Sequence, residues 1–596
     1  MKLTAGELVL QYENGFLRWI KAGKDEVLRM IYFAVRDENW GTVPGKIINE
    51  QINQEENCFA ITYEILFQQD DVKMLWKATI EGNADNSISF IIKGKALSTF
   101  KKNRAGFCVL HPIKECSGKK VLIQHTDESI KENIFPRYIS PHQPFKNITA
   151  MEWRVSDGCK IRLEFKGDIF ETEDHRNWTD NNFKTYCTSL ADPYPVIMNE
   201  GDEVYQKVSV KVDGVFLKYK DQHCVEIKID DNKLSIPKIG VGRAFERNKN
   251  YHAALEVLSA ISFNHYRVDI KLSTNSWEQM LQEGFSEAAS LKAKLEVALF
   301  VGPGCSDKIT TFTNAIKRCG NIQQIILLEE NAKCISNHLL KELLIILRTS
   351  LPNILIGAGT DIYFTEINRS DLDTTFIDFV NYSVNPQVHA YDDASLIENT
   401  QGQSATVVSA KNKFSNAVHV SPVTLKMRYN ADSTAQKINN VRPFSDDRQQ
   451  SFFGAIWTLL SLKELCEAGV ASITYYETVG ERGIMNSDTL QAYPTLQVFE
   501  LLRLSSYDYF KKSICLPDNI NCKSFILGNA KQQTVIIINF SEETVQLKSQ
   551  IYGSQNFITV LMENKNVTSQ KYFKKLPLIW PIYIPTQTII LIECTI

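Results

Sequence analysis

The chain has 596 residues, with 66 Lys and Arg against 69 Asp and Glu and a net charge of −3. This balance gives no basic surface of the kind that nucleic acid or an anionic membrane requires, so we expect neither as a partner. No run of about 18 apolar residues escapes interruption by Arg, Lys or Pro, and we therefore predict no transmembrane helix. At about 100–250 residues per domain, the length predicts about three domains.

The opening residues and the cysteines bear on the cellular compartment. The start, MKLTAGELVLQYENG, alternates apolar and polar residues like a first β-strand and lacks the continuous apolar core of a signal peptide. Thirteen cysteines are scattered from Cys58 to Cys594 without a short repeated spacing, which is typical of reduced thiols and not of a disulfide framework. We therefore expect a cytoplasmic protein.

The first 232 residues have the pattern of a β-sandwich. Segments of β-forming residues recur at regular intervals, and Asn, Gly, Asp and Lys turns separate them; examples are CFAITYEILF, ISFIIKG, AGFCVLH, KIRLEF and VYQKVSVKV. Short strands separated by turns at this spacing predict an N-terminal β-sandwich-like domain over residues 1–232.

From residue 233 the pattern changes to short apolar strands separated by amphipathic helices. The strand segments are IGVG, YRVDI, LEVALFV, QQIILLEE, ILIGAG, FIDFVNYS, AVHVSPVTL and SITYYE. Between them, segments such as SNHLLKELLIILRTS have apolar residues at helical spacing. Eight such βα units predict a (β/α)8 TIM barrel over residues 233–511. A doubly wound open sheet is the alternative, but the first unit, GVGRAFER, lacks the glycine spacing of that fold.

The end of the chain returns to alternating residues. SFILGN, QTVIIINFS, ETVQLKS, FITVLME and QTIILIE follow the last predicted helix. They predict a small C-terminal β-domain over residues 512–596.

The segment from Glu171 to Tyr186, ETEDHRNWTDNNFKTY, combines charged, amide, hydroxyl and aromatic residues without hydrophobic periodicity. Such residues can orient a polyhydroxylated ligand, and flat aromatic faces suit a sugar ring. The binding candidates in this segment are Asp174, Arg176, Trp178, Asp180 and Lys184. The alternative is a solvated loop with its aromatic residues tucked beneath it.

Polar residues that end or follow the predicted barrel strands form a second group of candidates. In a TIM barrel, such residues face the pocket at the carboxyl ends of the strands. Seven of them are Asp269, Glu366, Asn368, Asn385, Gln387, His389 and Glu477, and His419 in the seventh strand and Arg482 in ETVGERG complete the set. If FTEINR is extended, Glu366 and Asn368 share one face. Each acid taken alone has a plainer interpretation as a helix cap or a partner of a nearby lysine.

Several other chemistries lack their sequence signals. The chain has no C-x-x-C pair, H-E-x-x-H motif or EF-hand loop, so we expect no structural metal site and no cofactor. A catalytic divalent ion held by distant residues such as Asp269, His389 and His419 stays open. The chain also has no G-x-S-x-G elbow and no P-loop, which argues against a serine hydrolase and a nucleotide-driven enzyme.

The remaining groups suit acid–base hydrolysis of a sugar derivative, for which two reactions compete. A retaining glycosidase would use two carboxylates that flank an acetal carbon. A lactonase would use one base to activate water and several donors to hold the oxyanion. A carbohydrate-binding protein without catalysis is the alternative from a different class.

Longer blocks of the chain resemble the bacterial D-apionate lactonase family. They are VRDENWGT, GFCVLHP, FPRYISPHQPF, EDHRNWTDNNFKTYCT, FTEINR, NPQVHAYDDASL and ETVGERG. The resemblance spans the chain and implies a β-domain, a TIM barrel and a second β-domain. It also implies that the substrate is a small sugar lactone, D-apionolactone, which the enzyme would convert to D-apionate in apiose and apionate catabolism.

The resemblance brings no catalytic residues with it, so the roles are hypotheses from the sequence. We expect Glu366 to act as the general base, with His389 and Glu477 as the next candidates. His389 could pass a proton to the leaving ring oxygen. We expect the other barrel candidates to polarise the carbonyl group or to hold hydroxyl groups.

Overall fold

A computed structural model describes residues 1–216, 224–428, 444–502, 506–517, 521–548, 554–562, 573–577 and 582–595. These residues form two compact units. The first contains residues 1–177 and 181–216, and the second contains Trp178–Asp180 together with the described residues from 224 onward. Within these ranges, no helix has the length and apolar character needed to span a membrane.

The first unit consists mainly of antiparallel β-strands. They are β1 (Lys2–Ala5), β2 (Leu8–Glu13), β3 (Phe16–Ala22), β4 (Asp25–Asp37), β5 (Gly45–Gln54), β6 (Phe59–Gln69), β7 (Val72–Asn83), β8 (Ser87–Ala96), β9 (Phe100–Pro112), β10 (Lys120–His125), β11 (Ile130–Ile134), β12 (Phe145–Ser156), β13 (Cys159–Lys166), β14 (Phe170–Asp174), β15 (Asn182–Tyr186), β16 (Val196–Met198) and β17 (Glu203–Gly214), with the short helix α1 (Ile113–Cys116) after β9. Every second residue of β7 is buried, as expected for a strand with one face in the core. In that core, Phe33 packs edge-on against Phe90 and Phe107 at centroid distances of 6.0 and 6.1 Å. The all-β character predicted from the alternation is confirmed.

The second unit contains a closed barrel of eight parallel strands. They are β19 (Lys238–Gly242), β20 (His265–Lys271), β21 (Lys294–Val301), β22 (Ile322–Glu329), β23 (Leu355–Gly359), β24 (Phe379–Val384), β25 (Ala417–Val423) and β26 (Ser472–Glu477). β26 pairs with β19 and closes the barrel. Each of the eight predicted strand segments forms one of these strands, so the TIM barrel is confirmed.

Helices surround the barrel strands. They are α2 (Tyr251–Leu258), α3 (Trp277–Ser290), α4 (Ser306–Cys319), α5 (Asn337–Ser350), α6 (Phe364–Arg369), α7 (Asp393–Glu398), α8 (Thr400–Phe414), α9 (Phe452–Glu467) and α10 (Pro494–Leu502), with 3-10 turns at Ser259–Ile261 and Asp447–Gln450. A further 3-10 turn, His175–Trp178, follows β14 in the chain. In α5 the buried residues Leu339, Leu340, Leu343, Leu344 and Leu347 follow three- and four-residue spacing. This is the spacing that predicted the helix.

The segment FTEINR is helical, as α6, and not extended. Its apolar residues Phe364 and Ile367 are three apart and both buried, which fits one face of a helix. Residues two apart on a helix do not face each other, so the common face considered for Glu366 and Asn368 is wrong.

A second β-sheet of this unit contains the end of the chain. Its strands are β18 (Cys224–Leu234), β27 (Tyr509–Leu516), β28 (Cys522–Gly528), β29 (Gln532–Asn539), β30 (Val545–Leu547), β31 (Ser554–Met562), β32 (Phe573–Pro577), β33 (Ile582–Ile584) and β34 (Thr588–Thr595). The predicted C-terminal strands are confirmed. β18 precedes the barrel in the chain yet pairs with β27, so the predicted boundary at residue 232 falls inside a strand of this sheet. The division at residues 232 and 511 stays a prediction.

Candidate active site at the carboxyl ends of the barrel strands

Arg267 and Asp269 begin the site on β20. They are two residues apart on a strand and therefore point to the same side. Arg267 is buried, and its Nε donates to Asp269 Oδ1 at 2.8 Å while its Nη2 donates to Asp361 Oδ1 at 2.6 Å. One buried guanidinium group thus joins the acid of β20 to an acid that follows β23.

Arg428, which follows β25, joins the same two acids from a second direction. Its Nη1 donates to both carboxylate oxygens of Asp361 at 2.8 and 2.9 Å, and its Nη2 donates to Asp269 Oδ2. Burial by itself would raise the pKa of Asp269, but Arg267 and Arg428 outweigh burial and hold this pKa well below its usual range. We call Arg267, Asp269, Asp361 and Arg428 the ion cluster; with two cations and two anions, it is neutral.

Glu477 and Arg482 form a second ion pair at the end of β26. Arg482 Nη2 lies 2.7 Å from Glu477 Oε1, and the Phe245 amide donates to Glu477 Oε2 at 2.9 Å. Burial raises the pKa of Glu477, and Arg482 offsets only part of this effect. Arg482 Nη1 is buried and has no hydrogen-bond partner among the described residues. The pair therefore combines a carboxyl group of raised basicity with an unused cationic donor.

The ion cluster and the Glu477–Arg482 pair share one electrostatic environment. The Arg428 cation lowers the pKa of Glu477 slightly, and the Asp269 anion raises it slightly, with burial remaining the larger influence. Beside the ion cluster is a narrow cleft. It is lined by Asp361, Ile362, Tyr363, Ser383, Asn385, Thr424, Met427 and Arg428. Apolar walls and a few charged and amide groups thus lie together at this end of the barrel.

A larger cleft, of about 660 Å³, lies at the other end of the barrel, where β19 begins. Ile236, Ile261, Phe263 and Phe499 contribute to its apolar lining, and among the residues that the structure describes there, Lys238 has the one charged side chain. The amino ends of TIM-barrel strands generally serve stability, and this cleft lacks a pair of groups for acid–base chemistry.

His389 pairs with Asp180 in the same compact unit. His389 Nδ1 lies 2.7 Å from Asp180 Oδ2, and Asn399 Nδ2 donates to Asp180 Oδ1 at 2.7 Å. The Trp178 ring meets the His389 ring edge-on at 5.3 Å, and the Arg369 guanidinium lies over Trp178, also at 5.3 Å. Trp178 and Asp180 are thus grouped with His389 by direct contacts.

The Gln387 side chain binds one backbone carbonyl and one carboxylate. Its Nε2 donates to the Leu425 carbonyl at 2.9 Å and to Asp446 Oδ2 at 2.8 Å. The backbone N–H of Gln387 donates to Asn385 Oδ1 at 3.3 Å, and the Asn385 side chain also lines the cleft. Of these two amides, Asn385 is therefore the one placed to meet a ligand.

Glu366 and Asn368 lie on α6. Glu366 Oε1 is 3.6 Å from Lys333 Nζ. The Asn368 carbonyl accepts from Lys413 Nζ at 2.5 Å. Glu366 and Asn368 thus each have a lysine as a partner.

His419 lies inside the barrel. Its ring stacks on Phe379 at a centroid distance of 3.7 Å, and burial lowers its pKa to about 3. A neutral imidazole in this layer suits packing. Ser421, two residues further along β25, donates to Glu296 at 2.5 Å and accepts from Arg267 at 3.0 Å.

Glu296 is a buried carboxylate beneath the ion cluster. Thr474 donates to it at 2.9 Å, Gln324 also donates to it, and His265 Nε2 lies 3.5 Å away. Burial opposes ionisation, but His265 and Arg267, in that order, favour the anion and the pKa of Glu296 is lowered. Through Ser421, this anion supports the position of Arg267.

Three binding candidates of the segment Glu171–Tyr186 have partners inside the first unit. Arg176 Nη2 lies 2.7 Å from Asp174 Oδ2, and the same guanidinium donates to the carbonyls of Arg137 and Pro136, each at 3.0 Å. Lys184 Nζ lies 3.1 Å from a Glu173 oxygen. These contacts hold Asp174, Arg176 and Lys184 within the domain, and their part in substrate binding stays a prediction.

Two family models match the chain: the D-apionate lactonase N-terminal domain over residues 1–215 and the D-apionate lactonase TIM-barrel domain over residues 239–506. The chain belongs to the D-apionate lactonase family. A D-apionate lactonase from Brucella anthropi is 26% identical over 584 residues, which is 91% of this chain and 95% of that protein.

Solved structures similar to this lactonase-family chain include two glycoside hydrolases. A GH30 endoxylanase from Clostridium papyrosolvens C71 is 11% identical and covers 63% of this chain and 100% of its own, with a TM-score of 0.43. A family 39 glycoside hydrolase from Bacteroides cellulosilyticus WH2 is 13% identical and covers 83% of this chain and 97% of its own, with a TM-score of 0.37.

Sequence reasoning missed four residues of this lactonase-family site: Arg267, Glu296, Asp361 and Arg428. Two of them had a usable signal. Arg267 is two residues before Asp269 on the same strand. Asp361 is two residues after the end of β23, so it also lies close to the carboxyl end of a strand. Glu296 was hidden because it lies in the middle of an apolar strand segment.

Proposed function

We propose that this protein is a sugar lactonase that hydrolyses D-apionolactone to D-apionate. Family membership and the relative from Brucella anthropi support the substrate. The observation that carries the chemistry is the partly buried pair Glu477–Arg482, in which the carboxyl pKa is raised and Arg482 Nη1 has no hydrogen-bond partner among the described residues.

In the proposed reaction, Glu477 is the general base. Its carboxylate removes a proton from water as the water oxygen bonds to the lactone carbonyl carbon. Negative charge then develops on the carbonyl oxygen, where the unused Nη1 donor of Arg482 would hold it. When the bond from the carbonyl carbon to the ring oxygen breaks, the ring oxygen takes a proton and becomes a hydroxyl group. The products are the open-chain carboxylate and a proton released to solution.

His389 is the proposed donor to the ring oxygen. Asp180 fixes the orientation of its ring through the 2.7 Å contact at Nδ1. The neutral ion cluster and Asn385 would hold the substrate hydroxyl groups. Arg267, Asp361 and Arg428 are rigid donors and acceptors for this purpose because each already has a fixed ionic partner.

Glu366 is the competing base, and a pair of shape-preserving substitutions separates it from Glu477. Removal of a general base typically costs about 10²–10⁴-fold in rate. We expect Glu477→Gln to lose kcat by this factor and Glu366→Gln to keep most of it, since Glu366 faces Lys333. The opposite ranking would make Glu366 the base and refute the role of Glu477.

The first experiment is a pH-indicator assay of the purified protein on D-apionolactone, with and without chelator, beside a panel of chromogenic glycosides. Acid release from the lactone is expected. Sensitivity to the chelator would add a divalent ion to the reaction. Cleavage of a glycoside without lactone hydrolysis would replace the proposal with a glycosidase that uses paired carboxylates, and sugar binding without turnover would replace it with a binding protein.

The cysteines support a reducing compartment for this enzyme. All thirteen are free thiols, and most are buried. Free thiols in this number are typical of cytosolic proteins, so we propose a cytoplasmic location.

A further inference from the structure

Two cysteines face each other across neighbouring strands of the C-terminal sheet. β27 and β28 are antiparallel, with Tyr509 opposite Gly528 and Lys512 opposite Phe525. The hydroxyls of Ser513 and Ser524 are 2.7 Å apart, so the same register continues beyond these pairs. It brings Cys515 opposite Cys522, where directly opposed residues have Cβ atoms about 4.5–5.5 Å apart.

The surroundings of this pair favour a thiolate on one sulfur. Cys515 Sγ is 3.4 Å from Ser524 Oγ, and the two thiols hydrogen-bond to each other. The hydrogen bond from Cys522 is the main influence that lowers the pKa of Cys515, and Lys523 and Lys463 also favour its anion. The same hydrogen bond and burial raise the pKa of Cys522. The pair therefore has an attacking sulfur and a protonated partner.

Other buried cysteines of the chain lack this environment. Burial is the main cause that raises the pKa of Cys466 and, to about 11, that of Cys594. A buried thiol with a raised pKa reacts slowly because the thiolate is the nucleophile. Selectivity among the buried thiols therefore favours Cys515.

The pair lies near the ends of its two strands. Both side chains are buried in the sheet, with Cys515 2% and Cys522 1% exposed. Cys522 begins β28, and Cys515 is the second-last residue of β27. Opening the ends of two strands costs less than unfolding the sheet, so hydrogen peroxide needs only a local movement to enter.

We propose that Cys515 and Cys522 are a redox-active dithiol that hydrogen peroxide converts to an intramolecular disulfide. The Cys515 thiolate attacks one oxygen of the peroxide, the O–O bond breaks, and Cys515 becomes a sulfenic acid as hydroxide leaves and takes a proton. The sulfur of Cys522 then attacks the sulfenic sulfur, its proton leaves with the hydroxyl as water, and the S–S bond forms. In sum, two thiols and one peroxide give one disulfide and two waters.

The test is thiol mapping of the folded, full-length protein. Cys319→Ser serves as the background because Cys319 is the exposed thiol among the cysteines. After graded peroxide and alkylation, peptide mass spectrometry is expected to show two thiols lost per chain, a linked peptide joining Cys515 to Cys522, and full recovery with dithiothreitol. Cys594→Ser is the matched buried control and should leave this linkage unchanged.

Two further results decide the proposal. Cys522→Ser should stop the linkage and let dimedone trap a sulfenic acid on Cys515; if this variant does not fold, the peptide map of the background protein decides alone. Oxidation that proceeds at other cysteines without the 515–522 linkage would overturn the proposal, as would an equal yield of that linkage in urea, where the sheet register is lost. Lactonase turnover is not part of the readout, so this test stands apart from the proposed function.

Discussion

Arg176→Ala separates a structural role of the segment Glu171–Tyr186 from a role in substrate binding. The substitution removes the 2.7 Å ion pair with Asp174 and the two donors to the carbonyls of Pro136 and Arg137. The side chains of Arg176 and Asp174 are 2% and 0% exposed, so a buried carboxylate is left without its cation. Breaking a buried ion pair from one side costs about 3–5 kcal/mol.

That loss predicts a clear thermal shift. In a unit of this size, 1 kcal/mol corresponds to about 2–4 °C. The melting temperature of the first unit, measured by calorimetry, should therefore fall by about 6–20 °C. Arg162→Ala is the control in the same domain, because the Arg162 side chain is 42% exposed and its loss should cost at most about 1 kcal/mol. Turnover per native molecule should stay near wild type. A normal melting temperature with a raised KM would refute this reasoning and return Arg176 to the substrate site.

Three more predictions concern the barrel. Burial raises the pKa of Glu477 and the base must be ionised, so activity should fall as the pH drops through that raised pKa. In a plot of kcat/KM from pH 3 to 8, the pKa of the acid limb should lie above the value of about 4.3 for an ordinary glutamate. An acid limb with a pKa at or below that value would contradict the assignment. Glu296→Gln should lower the free energy of unfolding, measured in urea, by about 1.5–3 kcal/mol, because Ser421 and Thr474 then donate to a neutral amide. An unchanged urea midpoint would mean that the carboxyl group is not ionised. Trp178→Ala should lower kcat/KM by about 5–30-fold, the equivalent of about 1–2 kcal/mol, because the contact with the His389 ring is lost. Unchanged kinetics with a lower unfolding midpoint would give Trp178 a structural role only.

The barrel could be predicted from the sequence because its signals are local. The second half of β21 is a continuous apolar run, and a helix such as α5 has leucines at three- and four-residue spacing. The helical state of α6 was also within reach, since Phe364 and Ile367 have the same spacing. The interpretation of FTEINR as extended gave weight to two polar residues and overlooked the two apolar ones.

The ion cluster could not be predicted in the same way because its partners are distant in the sequence. Asp361 is 94 residues from Arg267 and 67 from Arg428. Position at the end of a strand identified Asp269 and Glu477. No local pattern, however, shows which acid forms an ion pair with an arginine. The segment Glu171–Tyr186 divides for a similar reason: β14 and β15 are buried on both faces, so their polar residues have no alternation that separates binding from structural roles.

The pairing of β18 with β27 has a consequence for synthesis of the chain. Glu226 lies opposite Leu516, about 290 residues later. At about 5–20 residues per second, a ribosome needs about 15–60 s to supply the second strand after the first. For that time β18 is an edge without its neighbour, and Glu226, Lys228, Asp230 and Asp231 along it are exposed in the finished protein. Charged residues on an open edge discourage pairing with other chains, so the composition of β18 protects the nascent chain until the barrel has been made.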